Sequence, residues 1–206
     1  MRIPSLVIAF VGLIAAFSPG IAAERPNVIL VYMDDMGWSD LGTQGAVGFK
    51  TPHLDKLASE GLRCTRFYSV CSVCSASRAG LMTGCYPARV MERSVLFPDS
   101  KTALHPDEIT LADMFAGAGY ETHMVGKWHL GHQEEVLPTA QGFKSYYGVP
   151  YSNDMGCDPD MKLAKDAVFR KGITRENFRA KSGRRSPLSP LMKDNEIVEV
   201  PSDQST

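Results

Sequence analysis

The 206-residue sequence lacks a charge excess of either sign: 22 Lys and Arg against 23 Asp and Glu leave a net charge of −1. That balance gives no general attraction for nucleic acid or an anionic membrane, so any partner must be recognised through a local cluster. A long hydrophobic run is missing too. The stretch from Leu6 to Phe17 covers twelve residues, short of the ~20 that a spanning helix needs. No stable membrane anchor is expected from it. Internal repeats and low-complexity tracts are absent, and 44% hydrophobic content suffices for the core of one domain. Cysteine is sparse, at Cys64, Cys71, Cys74, Cys85 and Cys157. With one CxxC, no second copy and no HxxxH, a structural zinc site is not supported.

The first 23 residues join Arg2 to the short apolar run, a Ser-Pro-Gly break and small residues, the pattern of a secretory signal peptide cleaved near Ala22 or Ala23. An exported, disulfide-permissive location follows, periplasmic or extracellular, or lumenal in a eukaryote. An odd cysteine count in such a place marks one thiol with another fate.

Apolar runs and helical patterns alternate along the rest. Val28–Met33 reads as a buried strand ending in Asp34 and Asp35. Residues 51–61 read as a helix with Thr51 as cap, Pro52 at the first position and Gly61 as stop. Residues 62–70 form a second strand pattern, the stretch 71–84 suits a short buried helix, and 108–120 read as a further helix and 121–128 as a core strand. The class is α/β with a mostly parallel sheet flanked by helices. In such sheets ligands sit at the carboxyl ends of strands. Asp34 and Asp35, the segment around Cys74, and Gly126–His132 are placed there. Residues 156–193 read as a polar insertion or loop. The run from Arg170 to Arg185 sets seven basic residues against Glu176 and suits a solvated loop, with a polyanion contact as the other reading. His123 reads as a packed core histidine, and His132 stands at the edge of its motif.

Each cluster taken alone keeps two readings. Adjacent carboxylates after a buried strand suit a hard cation or a capped turn. Lys127 and His129, two apart, would point the same way from an extended chain, toward an anionic substrate and a proton transfer; they equally suit a surface lysine beside a packed ring. "CSVC" suggests a redox dithiol but leaves Ser77 and Arg78 unused.

Read from its second cysteine, however, "CSASRAGLMTG" (74–84) closely resembles the sulfatase signature CxPSRxxLxTG. "DDMGWSD" (34–40), "GKWHLG" (126–131) and "GVPYSND" (148–154) resemble three further motifs of that family, in family order. The nearest branch is the arylsulfatase A and N-acetylgalactosamine-6-sulfatase type. The resemblance implies an alkaline-phosphatase-like fold and hydrolysis of sulfate esters of a small molecule or glycan. It implies that Cys74 is oxidised to formylglycine by a formylglycine-generating enzyme, and that calcium is bound by Asp34, Asp35 and the modified Cys74. Catalytic roles fall on Cys74, Arg78, Lys127 and His129, and substrate contacts on Lys127 and Ser152. A phosphodiesterase or phosphonate hydrolase of the same fold, and a non-catalytic remnant, are the alternatives. Converting Cys74 leaves four thiols, enough for up to two disulfides in any of three pairings. Two positions depart from the family: Ala76 replaces the usual proline, which bears on conversion of Cys74, and Cys85 replaces a common arginine. The family's remaining metal ligands belong to a later part of the fold. Residues 24–206 are therefore expected to be the N-terminal part of a sulfatase domain, incomplete at the C-terminus and alone inactive.

Overall fold

The computed structural model describes residues 25–203 except Arg185; the signal-peptide expectation for residues 1–23 falls outside them. The chain divides into two compact units, Met1–Ala58 and Ser59–Thr206.

The first unit contains a short 3-10 turn at Gly42–Gln44 and most of helix α1 (Pro52–Glu60). Thr51 and Asp55 organise it: Gly42 N–H donates to Thr51 Oγ1 at 2.8 Å, and Thr43 N–H to Asp55 Oδ1 at 2.9 Å. Helix bounds and the role of Pro52 match the sequence expectation. The strand expected at Val28–Met33 does not form. Those six side chains are 39–88% exposed and the segment is irregular. A strand exists only through a ladder partner, and none of the described pairings includes this run.

The second unit holds α2 (Cys74–Thr83), α3 (Pro87–Val90), β1 (His123–Val125) and β2 (Ser145–Gly148), with α4 (Leu111–Gly117) between α3 and β1. Beyond them come β3 (Leu163–Phe169), α5 (Phe178–Lys181), β4 (Leu191–Lys193) and β5 (Glu196–Val200). The five strands make one sheet in the order β1-β2-β4-β5-β3. It is mixed: β1–β2 and β3–β5 are parallel, whereas β2–β4 and β4–β5 are antiparallel. The α/β class holds, and the antiparallel pairs arise because β4 and β5 form a tight hairpin. Asp194 adopts φ 52° at its turn, a conformation Asp tolerates. Its backbone N–H donates to Tyr146 O at 2.7 Å and its Oδ1 accepts from Tyr146 N–H at 3.0 Å, which pins the hairpin to β2.

Several expectations are corrected here. Residues 62–70 form no strand, and Leu62, Phe67, Tyr68 and Val70 are exposed. Strand β1 is a three-residue edge strand, so Val125 is 81% exposed and His123 is exposed rather than packed in a core. His123 Nδ1 instead lies 2.8 Å from Ser145 Oγ on β2. The 156–193 segment contributes β3, α5 and β4. Three of its basic residues have partners: Arg170 pairs with Glu199 and Arg179 with Asp160, while Arg184 lies 3.5 Å over the Phe97 ring.

The core gathers around Trp128, Leu130, Tyr146, Tyr151, Phe178, Met192 and Ile197, all at most 1% exposed. Burying each such side chain is worth about 1.5–3 kcal/mol. Helix α4 packs Ala112 and Leu111 against this core and starts at a capping box, with Thr110 and Asp113 exchanging side-chain and backbone hydrogen bonds.

Candidate active site

Cys74 opens α2, and the small residues behind it explain why this helix is buried. Ser75, Ala76, Ser77, Arg78, Ala79 and Gly80 are all interior, and Gly84 ends the helix at φ 67°. Cys74 itself is half-buried. Arg78 lies one turn further on, the spacing that shares a helix face. Although only 9% exposed, it reaches out of its own helix: Nη1 donates to the backbone carbonyl of Lys127. The cysteine helix and the "GKWHLG" loop are thereby joined through the two residues that sequence motifs had picked out separately.

A second strut runs in parallel. Ser75 Oγ accepts from Leu96 N–H at 3.1 Å and Ser94 O accepts from Ala76 N–H at 3.1 Å, so the 94–96 segment lies along α2. Leu96 O in turn accepts from His129 Nε2 at 2.8 Å. Since a carbonyl only accepts, the neutral imidazole carries its proton on Nε2 and its lone pair on Nδ1.

The "GKWHLG" loop is not extended, which overturns the expectation that Lys127 and His129 point the same way. Gly126, His129 and Gly131 take φ values of 113°, 61° and 127°. His129 is fully buried while Lys127 is partly exposed. Backbone bonds hold the loop against the "GVPYS" segment: Trp128 N–H donates to Val149 O and His129 N–H to Pro150 O, both at 3.0 Å. Only glycine fits at 148, because a Cβ there would stand 1.9 Å from Gly126 O. Trp128 is locked by its Nε1–H, which donates to Val136 O at 2.9 Å. Ser152 is half-buried and directly follows the buried Tyr151.

Two tyrosines and a histidine that sequence reasoning passed over belong to this region. Burial pushes the Tyr146 phenol well above its ordinary range, with the nearby Arg78 charge drawing it partly back. Tyr151 is raised likewise, by burial and then by the charges of Asp158 and Asp99. Its ring meets the His129 ring edge-on at 5.4 Å, and its hydroxyl lies 2.6 Å from His132 Nδ1. His132 had a visible signal, since it directly follows "GKWHLG".

Asp34 and Asp35 stand in the first unit, with Asp35 at φ 56°. Among the described residues no group of three or more His, Cys, Asp or Glu side chains comes together as a metal ion would require. Calcium takes six to eight oxygens, more than Asp34, Asp35 and a modified Cys74 would supply between them. All five cysteines are free thiols, and burial pushes the Cys157 thiol up to about 11. No helix among the described residues is long and apolar enough to cross a membrane.

A cysteine-bearing helix is thus joined through arginine to a Lys/His loop beside an α/β sheet. A family model described as Sulfatase matches residues 26–180, and the chain belongs to the sulfatase family. It is 47% identical over 148 residues to arylsulfatase A of Homo sapiens, covering 70% of this chain and 29% of the relative. To N-acetylgalactosamine-6-sulfatase of Mus musculus it is 40% identical over 153 residues, covering 70% and 29%. The chain thus spans under a third of the length of these relatives. Among solved structures, Ps i-CgsB superposes with a TM-score of 0.69 at 27% identity, over 85% of this chain and 37% of that one. The same protein has been solved in complex with k-i-k-neocarrahexaose. The alkaline-phosphatase-like fold expected from the sequence is the fold of these neighbours.

Proposed function

We propose that this protein contributes the nucleophile-bearing part of a sulfatase that hydrolyses sulfate esters of a small molecule or glycan: the S–O bond to the alcohol breaks and water supplies the oxygen and protons. The observation that carries this reading is the bond from Arg78 to the Lys127 carbonyl, which brings the cysteine signature and the "GKWHLG" loop into one site. Formylglycine made from Cys74 by a generating enzyme supplies a hydrated aldehyde, with two hydroxyls on one carbon. Cys74 fits that conversion in being half-buried at the exposed start of a helix rather than sealed in the core. Arg78 places a permanent positive charge one turn behind residue 74 and fixes the loop. Lys127 adds a positive charge for the sulfate oxygens, and Ser152 a hydroxyl at the edge of the same loop pair. His129, with its Nε2 proton committed to Leu96 O, offers Nδ1 as proton acceptor. Asp34 and Asp35 supply hard oxygens toward calcium, and no step here depends on them. An N-terminal signal peptide at residues 1–23 accords with export.

Protein purified from its natural source, assayed side by side on an aryl sulfate and an aryl phosphate diester, tests the reading. Preference for the sulfate supports it. Preference for the diester favours the phosphodiesterase alternative, and no turnover of either favours the non-catalytic one.

A further inference from the structure

We propose that His132 is a positioning residue for this site: with Asp158 behind it, it holds the Tyr151 hydroxyl, and through the Tyr151 ring it fixes the orientation of His129. The functional meaning rests on the sulfatase reading above; the geometry can be tested without it.

Three contacts form a chain. His132 Nε2 faces Asp158 Oδ2 at 3.5 Å, His132 Nδ1 lies 2.6 Å from Tyr151 Oη, and the Tyr151 ring stands edge-on to His129 at an interplanar angle of 82°. The members are interior: the Tyr151 residue is 1% exposed and the side chains of His132 and Asp158 are 11% and 16% exposed. Their buried polar groups are thus committed to one another.

The proton positions follow. Tyr151 is held as a phenol by burial and by two nearby acidic charges, so its O–H donates to His132 Nδ1. The proton of the neutral His132 ring then sits on Nε2, toward Asp158. Burial lowers the pKa of His132; Asp158 and Glu135 act against this, and Lys101 adds to it. Neutral His132 is therefore the form that receives the tyrosine proton, and Asp158 is its orienter. On the far side, His129 donates to Leu96 O, and the Tyr151 ring packs edge-on against the imidazole, a contact that bears on the orientation of its plane.

The test is ring-nitrogen NMR on histidine-labelled protein. His132 is expected to show its lone pair on Nδ1 and to titrate below the ordinary histidine value of about 6.5. Asp158→Asn should lower that midpoint further, because it removes a charge that favours the cation. Tyr151→Phe should raise it and should shift the His129 ring signals. His132→Ala should shift the His129 signals in the same way, and His132→Asn, whose side-chain oxygen can accept the tyrosine proton, should return them. If His132→Ala does not fold, Tyr151→Phe carries the same comparison. His132 titrating above 6.5, or His129 signals indifferent to Tyr151→Phe, would overturn the proposal. In active enzyme from the natural source, Tyr151→Phe should lower kcat about 10-fold to 100-fold with KM little changed; unchanged kcat would equally overturn it. Wild-type protein inactive on aryl sulfate would sink the sulfatase reading and leave the NMR outcome standing.

Discussion

Replacing Arg78 with methionine isolates the strut between the cysteine helix and the "GKWHLG" loop. Methionine keeps an unbranched apolar stem of similar reach, so the cavity term of a truncation is largely avoided. What is lost is the charged donor to the Lys127 carbonyl. A hydrogen bond involving a charged group contributes about 1.5–3 kcal/mol net. Arg78 is 9% exposed, so solvent is poorly placed to replace it. A loss of about 2 kcal/mol is therefore expected, equivalent to a fall of about 4–8 °C in Tm for a chain of this size. Thermal and urea unfolding followed by circular dichroism would measure it, with Arg78→Lys alongside. Lysine retains the charge but not the planar fork, and should fall between the two. Unchanged stability in Arg78→Met would refute the argument, because it would mean that Arg78 does not tie the loop to α2.

Other expectations follow from the same contacts. Cys157 is buried with its thiol raised to about 11, so in folded protein at pH 8 it should be alkylated far more slowly than the exposed Cys64; equal labelling rates would contradict its burial. His132 has a folded pKa below its unfolded value, so the unfolded chain takes up its proton first as pH falls. Its contribution to stability is thus complete above about pH 6.5 and declines as pH drops from there through the folded value, and His132→Asn should flatten that part of a stability-versus-pH curve. Because only Asp34 and Asp35 were assigned as carboxylate ligands and no cluster of three or more His, Cys, Asp or Glu occurs among the described residues, calorimetric titration of the 206-residue chain with calcium should show weak binding; tight binding would reveal a cage built from other oxygens. Gly148→Ala should destabilise strongly, since its Cβ has no room beside Gly126 O, and an unchanged melting curve would show that this backbone contact is looser.

The candidate site residues can be picked out in the sequence because they sit in short contiguous motifs. Cys74 and Arg78 share one helix turn, and the helix itself was readable from its small residues with Leu81 and Met82, while Gly84 as its end came from the structure. The partnership of Arg78 with the Lys127 carbonyl was not legible, because it spans 49 residues and uses a backbone atom. Nor was the direction of Lys127 and His129, since alternation presupposes extended backbone and His129 sits at φ 61°. Val28–Met33 has the composition of a buried strand, but composition supplies neither the ladder partner nor the cover, and the segment remains irregular. Residues 156–193 failed in the opposite direction. Their polarity concealed β3 and β4, in which Ala164 and Met192 face the interior while the polar side chains face outward. His132 was passed over because a motif edge says nothing about Tyr151, nineteen residues on.

The central claim is that Cys74, in modified form, is the reactive residue, and the mass of the peptide that contains it tests this most directly. In protein purified from its natural source, peptide mass spectrometry should find an aldehyde at position 74 and an unmodified thiol or a disulfide at Cys71. Cys74 recovered as a plain thiol, or disulfide-bonded to Cys71, would contradict the account.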